Sequence, residues 1–403
     1  MRTHGQDDLH GLNACGALYN PAMASPPPFR RPVIKLGTST LTAGGDHLSL
    51  ARLAALVEQV AALHGTGMQP IVVSSGAIAV GRQQLGFPTD KDVSGKQIMA
   101  AVGQSRLMHL YDQNFGFYGI ICAQVLLTRE DLAERQRYLN ARNTLLGLCE
   151  RRVVPIINEN DVVAADEIKV GDNDRLSALV ANLVDADILL LVTDIPGLYT
   201  ADPALNTDAV LVPEVASITP EVEAWAGGSR TGLGTGGMAT KLAAARLATA
   251  SGAEVRIVDG RERDVIARAL RGEAMGTRFL PRTDRVEGRK RWILSGLRHA
   301  GRLIVDAGAA HALLSRGASL LPAGIVAVEG SFQRGDSVEV VGPGGEKIAA
   351  GIADYPADDV RAVAGRQSSE IETVLGYSYG GAVIHRDNLV SLLSEGERAH
   401  AAH

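Results

Sequence analysis

The residues best suited to chemistry gather where apolar runs end. Asn158-Glu159-Asn160-Asp161 follows the run Val153 to Ile157. Gly171-Asp172-Asn173-Asp174 leads into a helical pattern from about Leu176 to Val184, and Thr193-Asp194 closes a second apolar run, Ile188 to Val192. These turns carry five carboxylates and three amides. A single Asn or Asp in such a place is an ordinary turn former. Their concentration favours a ligand site over simple strand exits. Two lysines bring the opposite charge. Lys35 lies inside Val33 to Leu36, one residue before its end. An ammonium there must reach a phosphate or carboxylate, or snorkel to water from an edge strand, and position alone leaves both readings open. The glycine-rich stretch beginning at Gly227 delivers Lys241 to the N-terminus of a helix. Backbone amides and an ammonium at a helix N-terminus suit a polyphosphate; the alternative is a disordered surface loop.

These groups need a common edge to act together. Two β-branched and leucine-rich runs joined through a helix read as a βαβ unit with parallel, fully buried strands. A right-handed crossover points both strand ends at one sheet edge, where open α/β sheets bind ligands. The polar clusters are therefore expected at two adjacent strand ends facing one crevice. Upstream, Val33 to Leu36 reads as a strand, and Leu50, Leu53, Leu56, Val57, Val60 and Leu63 repeat at helical spacing. Pro70 to Val73 is a strand running into Ser74-Ser75-Gly76. The amides of that turn suit an anion, although an ordinary strand-to-helix turn uses the same residues and is the preferred reading for the turn alone. Ser94 to Tyr118 and Tyr138 to Arg152 read as helices, Gly119 to Leu127 and Gly252 to Val258 as strands, and Leu242 to Ala250 as a helix. The alternation describes an α/β domain with a doubly wound, mainly parallel sheet. Gly232, Gly234 and Gly237 match G-x-G-x-x-G, but no strand precedes them, and the glycines before Lys241 lack the P-loop order. Neither motif is present.

At 403 residues the chain has room for two or three domains. Hydrophobic content of 46%, charged content of 21% and a net charge of -5 fit a soluble protein not built to coat nucleic acid. Cys15, Cys122 and Cys149 form no zinc spacing, and their odd number argues against a disulfide framework. No apolar run reaches membrane-spanning length, so no membrane partner is expected. Residues 1–31 lack a signal-peptide core and hold Pro26-Pro27-Pro28, which reads as a disordered extension with a stiff end. A reduced, cytoplasmic protein is expected. Beyond about His299 the texture changes to short runs, Gly324 to Val328, Ser337 to Val341 and Lys347 to Ile352, between glycine turns, as in a small β-rich domain.

Six segments then carry a resemblance. Lys35-Leu-Gly-Thr-Ser39, Ser74-Ser-Gly-Ala-Ile-Ala79, Asn158 to Asp161, Gly171 to Asp174, Thr193-Asp194 and Gly234-Thr-Gly-Gly-Met-Ala-Thr-Lys241 occur in an order that resembles the amino acid kinase family. Within it the chain looks like the members that phosphorylate glutamate. Ser319-Leu-Leu-Pro-Ala-Gly-Ile325 and Gly335-Asp336 resemble the PUA domain appended to bacterial forms. The resemblance covers roughly residues 32 to 390. It implies an amino acid kinase domain over 32–285 and a PUA-like domain over 299–390 joined by a linker over 286–298; the disordered extension over 1–31 departs from it, and 391–403 reads as a frayed tail.

The resemblance also implies transfer of the ATP γ-phosphate to the side-chain carboxylate of L-glutamate, opening proline synthesis. Lys35 and Lys241 would supply positive charge, Asp174 would orient both, and amides at Gly37 and in the 234–241 loop would add neutral donors. Ser75, Asp161 and Asn173 would bind glutamate, the aspartate holding the α-ammonium and the serine and amide donating to carboxylates. Lys35, Gly37, Thr193, Asp194, Thr235, Gly236, Gly237, Met238, Ala239, Thr240 and Lys241 would hold ATP. Mg2+ would bridge the β- and γ-phosphates with mostly phosphate and water around it, and no protein ligand for it is named. Proline is an expected inhibitor, and a dimer or tetramer an expected assembly. Rival acceptors are aspartate and N-acetylglutamate; Asp161 argues against an N-acylated one, which lacks the positive charge. A PUA-type module could instead bind RNA. Against that, residues 299–391 hold seven Lys/Arg and eleven Asp/Glu, a net of -4, where phosphate binding calls for a basic face.

Overall fold

The computed structural model describes residues 29–86, 93–164, 173–226, 237–282 and 300–393. The extension before residue 29, Asp172, Thr235, Gly236, all of the 286–298 linker and the tail beyond residue 393 lie outside them.

The first strand, β1 (Pro32–Leu36), is buried along its whole length. It is followed by α1 (Thr38–Thr42), α2 (Leu50–Gly65), β2 (Ile71–Ser74), α3 (Ala77–Leu85), α4 (Val93–Gly116) and β3 (Cys122–Leu127). The chain continues through α5 (Arg129–Ala133), α6 (Arg135–Glu150), β4 (Val154–Glu159), α7 (Asn173–Leu183) and β5 (Ile188–Thr193). Next come β6 (Glu214–Val215), α8 (Pro220–Ala226), α9 (Met238–Ala250), β7 (Glu254–Asp259), α10 (Val265–Leu270) and β8 (Thr277–Phe279). The strands form one sheet in the order β3-β4-β2-β1-β5-β7-β8-β6. From β3 to β7 every pairing is parallel, and β8 runs antiparallel to β7.

Parallel strands buried on both faces need apolar residues at every position, and here alternate residues enter different cores. Val33, Val73, Ile157, Leu189 and Leu191 pack with Leu176 and Ala178 of α7 and Leu242 and Ala244 of α9. Ile34, Leu36, Val72, Ile156, Leu190 and Val192 pack with α2, α4 and α10 on the opposite face. By the same alternation Lys35 projects to the side covered by α7 and α9.

Three boundaries differ from the sequence expectation. β4 and β5 are not neighbours, because β2 and β1 lie between them. Their polar ends still share an edge, since all four strands are parallel. β4 also runs on through Asn158 and Glu159, which pair with Leu126 and Leu127 of β3. Backbone pairing to a neighbouring strand overrides the turn preference of Asn. Finally, α9 starts at Met238 rather than Leu242, so Lys241 lies within its first turns.

The C-terminal part forms a second sheet from β9 (Gly301–Val305), β10 (Ile325–Gly330), β11 (Ser337–Val341), β12 (Lys347–Ile352) and β13 (Leu389–Ser391), in the order β10-β9-β11-β12-β13. It contacts the first part at α6. Leu139 of α6 is fully buried against Ile352 and Val390. Arg334 donates to the Asn140 side chain of α6, and its guanidinium lies 3.7 Å from the centre of the Tyr379 ring.

Candidate active site

Lys35 meets its partner on the α7–α9 side of the sheet. Its Nζ lies 2.6 Å from Oδ1 of Asp174, and Nζ of Lys241 lies 3.1 Å from Oδ2. Asp174 is fully buried, and the two lysine side chains are only 7% and 4% exposed. Burial pushes the Asp174 carboxyl up, but the two ammonium groups outweigh it and hold the group below the ordinary carboxylate range. Thr240 donates its hydroxyl to the same carboxylate at 3.0 Å. One aspartate in the first turn of α7 thus draws in a strand lysine and a helix lysine. The result is a compact site with one positive charge in excess.

Gly37 follows β1 directly. Its amide donates to the Val192 carbonyl at 3.4 Å, so that N–H is turned into the sheet rather than toward a ligand. What Gly37 offers is space, since a Cβ there would stand 3.4 Å from Nζ of Lys35. Free donors come instead from the start of α9, where Gly237 is the N-cap and makes no side-chain cap. Thr193, at the end of β5, is buried, and its hydroxyl donates to Oδ1 of the exposed Asp194 at 3.1 Å.

A second group lies at the ends of β2 and β4. Nδ2 of Asn173 donates to Oγ of Ser75 at 2.8 Å, to Oδ1 of Asn158 at 3.0 Å and to the Ser74 carbonyl at 3.2 Å. Its amino group is therefore occupied within the protein. The amino group expected to donate to a substrate carboxylate is engaged within the protein here, and Oδ1 takes no part in these three bonds. Asp161 lines a neighbouring cavity of about 420 Å³ together with Glu159, Gln104 and Gln124. Burial raises the Asp161 carboxyl to about 6. Burial first, then the nearby Asp161 and Glu130, raises Glu159 to about 7. Carboxylates held so far above their ordinary range gain by meeting a cation.

The structure thus brings Lys35, Asp174, Thr240 and Lys241 together, and joins Asn173 to Ser75 beside them. Sequence reasoning passed over Asn158 and Gln104. Asn158 belongs to a polar cluster that favours a ligand site, but the sequence gives it no role of its own. Gln104 lies mid-helix among residues of no distinctive pattern, and no local signal marks it. Among the described residues no group of three or more His, Cys, Asp or Glu side chains is placed to hold a metal ion. None of the described helices is long and apolar enough to cross a membrane. Cys122 and Cys149 are free thiols, both pushed up to about 11 by burial.

Residues 30–259 match the family model described as the amino acid kinase family, and residues 301–375 match the PUA domain. The chain belongs to the amino acid kinase family. Its relatives include a glutamate 5-kinase of Deinococcus radiodurans, 53% identical over 363 residues that cover 90% of this chain and 100% of that enzyme. A glutamate 5-kinase of Herpetosiphon aurantiacus is 52% identical, with 90% of this chain and 98% of the relative covered. One from Shewanella amazonensis is 51% identical over 92% of this chain and 98% of its own length. The amino acid kinase match spans the strands β1 to β7 that position the lysines, and the PUA match opens at β9.

Proposed function

We propose that this chain transfers the γ-phosphoryl group of ATP to the side-chain carboxylate of L-glutamate, forming γ-glutamyl phosphate for proline synthesis. The observation that carries the reading is the pairing of Lys35 and Lys241, from a strand and a helix, on the single buried carboxylate of Asp174. The relatedness to glutamate 5-kinases supports the same acceptor.

Phosphoryl transfer between two anions asks chiefly for positioning and for positive charge around the equatorial oxygens. An oxygen of the γ-carboxylate attacks the γ-phosphorus, a new P–O bond forms, and the bond to the β-phosphate oxygen breaks to release ADP. No general base is required, because the acceptor is already ionised at neutral pH. Lys35 and Lys241 neutralise charge on the group in transit, while Asp174 fixes their spacing. Amides at the start of α9, from Gly237 through Ala239, the Thr240 and Lys241 side chains, and Thr193 with Asp194 hold the nucleotide. An Mg2+ ion accompanying ATP would add positive charge at the phosphates, while the aspartate of this site stays engaged by its two lysines.

Ser75, Asn173 and Asp161 hold glutamate, with Asp161 facing the α-ammonium. Proline, which also carries an ammonium and a carboxylate, inhibits by competing there, and the enzyme works as a homo-oligomer. The division into a catalytic domain over 32–285 and a PUA-like domain over 299–390 belongs to the same reading, supported by the two separate sheets.

The test is glutamate-dependent formation of ADP, compared with aspartate and N-acetylglutamate as acceptors. Turnover with glutamate at least about tenfold above N-acetylglutamate is expected, given what one lost charged contact is worth, and above aspartate, whose shorter side chain misplaces the attacking oxygen. Equal turnover with N-acetylglutamate would defeat the assignment of Asp161.

A further inference from the structure

Three side-chain amides form a chain from the cavity wall to Ser75. Nδ2 of Asn158 donates to Oε1 of Gln104 at 2.9 Å. Oδ1 of Asn158 accepts from Nδ2 of Asn173 at 3.0 Å, and the same Nδ2 donates to Oγ of Ser75 at 2.8 Å. An amide can present either its oxygen or its nitrogen, and the direction of such a chain is set by a member that cannot reverse. That member is the Ser74 carbonyl, which only accepts and takes Nδ2 of Asn173 at 3.2 Å. Asn158 must then show oxygen to Asn173 and nitrogen to Gln104, and Gln104 must answer with its oxygen. At the far end, Ser75 accepts from Asn173 and keeps its own proton to give away.

The backbone holds Gln104 in place for this. Its neighbour Gly103 lies where α4 crosses α3, and a Cβ there would fall 1.8 Å from the Ala77 carbonyl oxygen. Gly81 of α3 makes the reciprocal approach, with a Cβ falling 1.8 Å from the Met99 carbonyl oxygen. The helix that starts just after the Ser75 turn is therefore locked against the helix that carries Gln104. Asn158 is only 3% exposed, so a lost acceptor at Gln104 would not be replaced freely by bulk water.

We propose that Gln104 is a positioning residue for the acceptor amino acid. Through Asn158 it braces the Asn173 amide in the direction that the Ser74 carbonyl sets, with Oδ1 toward the ligand, and leaves the Ser75 hydroxyl a donor. The site then offers acceptors, Oδ1 of Asn173 and the Asp161 carboxylate, to an α-ammonium, and a donor to a carboxylate. Gln104 thereby acts as a specificity determinant for α-amino dicarboxylic acids over dicarboxylic acids that lack the amine. This inference rests on the acceptor role proposed above for Ser75, Asn173 and Asp161.

The full-length protein with Gln104→Met, Gln104→Glu and Ser75→Ala distinguishes the outcomes, using ATP with L-glutamate or glutarate as acceptor. Methionine fills the space but cannot accept; glutamate keeps an oxygen toward Asn158. For Gln104→Met, KM for glutamate should rise about tenfold, the scale of one lost buried acceptor, with KM for ATP unchanged. The preference for glutamate over glutarate should fall by a similar factor, which a purely structural role would not produce. Gln104→Glu should restore most of the glutamate KM at pH 8. If the methionine and glutamate variants are equally impaired, or if KM for ATP rises in step, the relay is wrong. An unaltered KM for glutamate in Gln104→Met, alongside a raised one in Ser75→Ala, would also remove the relay while leaving the acceptor site standing. An unaltered KM in Ser75→Ala would remove the acceptor site itself. Thermal unfolding midpoints within a few degrees of the parent establish that each variant is folded.

Discussion

Nζ of Lys35 stands 2.6 Å from the Asp174 carboxylate although the two residues belong to different elements, the central strand β1 and the first turn of α7. The partnership exists because Lys35 shares its side of the sheet with Val33 and not with Ile34 and Leu36. A shift of one residue in the strand would bury the ammonium under α2 instead.

Lys241→Ala should lower kcat by about 10²-fold or more, the scale seen when one preorganised charge-stabilising donor is removed. KM for glutamate should change little, because Lys241 lies at the phosphoryl position. Steady-state turnover with ATP and glutamate checks both, and unchanged kcat would remove Lys241 from the mechanism.

Asp174→Asn leaves two nearly buried ammonium groups without their counter-charge. Breaking a buried pair in this way costs about 3–5 kcal/mol of stability. Chemical denaturation should show the loss, and turnover should fall as the lysines separate. Because the native pairing depresses the Asp174 carboxyl, its contribution to stability is present above the ordinary carboxylate pKa. It is lost as pH falls through the depressed value, so the variant should lose the acid-side dependence that the parent shows.

Asp161 titrates at about 6 in the ligand-free chain. Only its ionised form pairs with an α-ammonium, so KM for glutamate should climb about tenfold per pH unit below pH 6. KM for ATP should not follow. For stability the sign is reversed. The folded chain holds this proton more tightly, so the group favours folding below its ordinary value of 3.8, and that contribution is lost as pH rises through about 6. Asp161→Asn should abolish both dependences and leave KM for glutamate high throughout; a KM profile that stays steep in the variant would reassign the titration.

Gly103→Ala introduces a methyl 1.8 Å from the Ala77 carbonyl oxygen, in a contact made by backbone that cannot swing aside. Overpacking of this kind costs about 1–3 kcal/mol. Because α4 must move away from α3, KM for glutamate should rise together with the loss of stability. A variant as stable as the parent would show that the helices do not approach this closely.

Leu139→Ala empties the contact between α6 and the second sheet, where Leu139 packs on Ile352 and Val390. A cost of about 2–5 kcal/mol is expected for a truncated buried leucine. Differential scanning calorimetry should show the two sheets uncoupling into separate transitions, and a single unshifted transition would mean the contact contributes nothing.

Much of this protein was legible in its residues. Unbroken apolar runs marked buried parallel strands, Ser74-Ser75-Gly76 and Thr193-Asp194 marked strand ends, and Lys35 stood out because a lysine inside such a run needs a partner. These are local signals, since side-chain period and turn chemistry are properties of a few consecutive residues. Tertiary structure alone decided which strands became neighbours and hence that β1 and β2 separate β4 from β5. It also turned the Gly37 amide into the sheet, drew Asn158 into a strand by pairing it with Leu126, and brought Gln104 within reach of it from another element. The reason is physical: strand order, helix crossings and amide directions depend on contacts between residues far apart in the chain. A glutamine in the middle of α4 carries no mark of the asparagine it will meet.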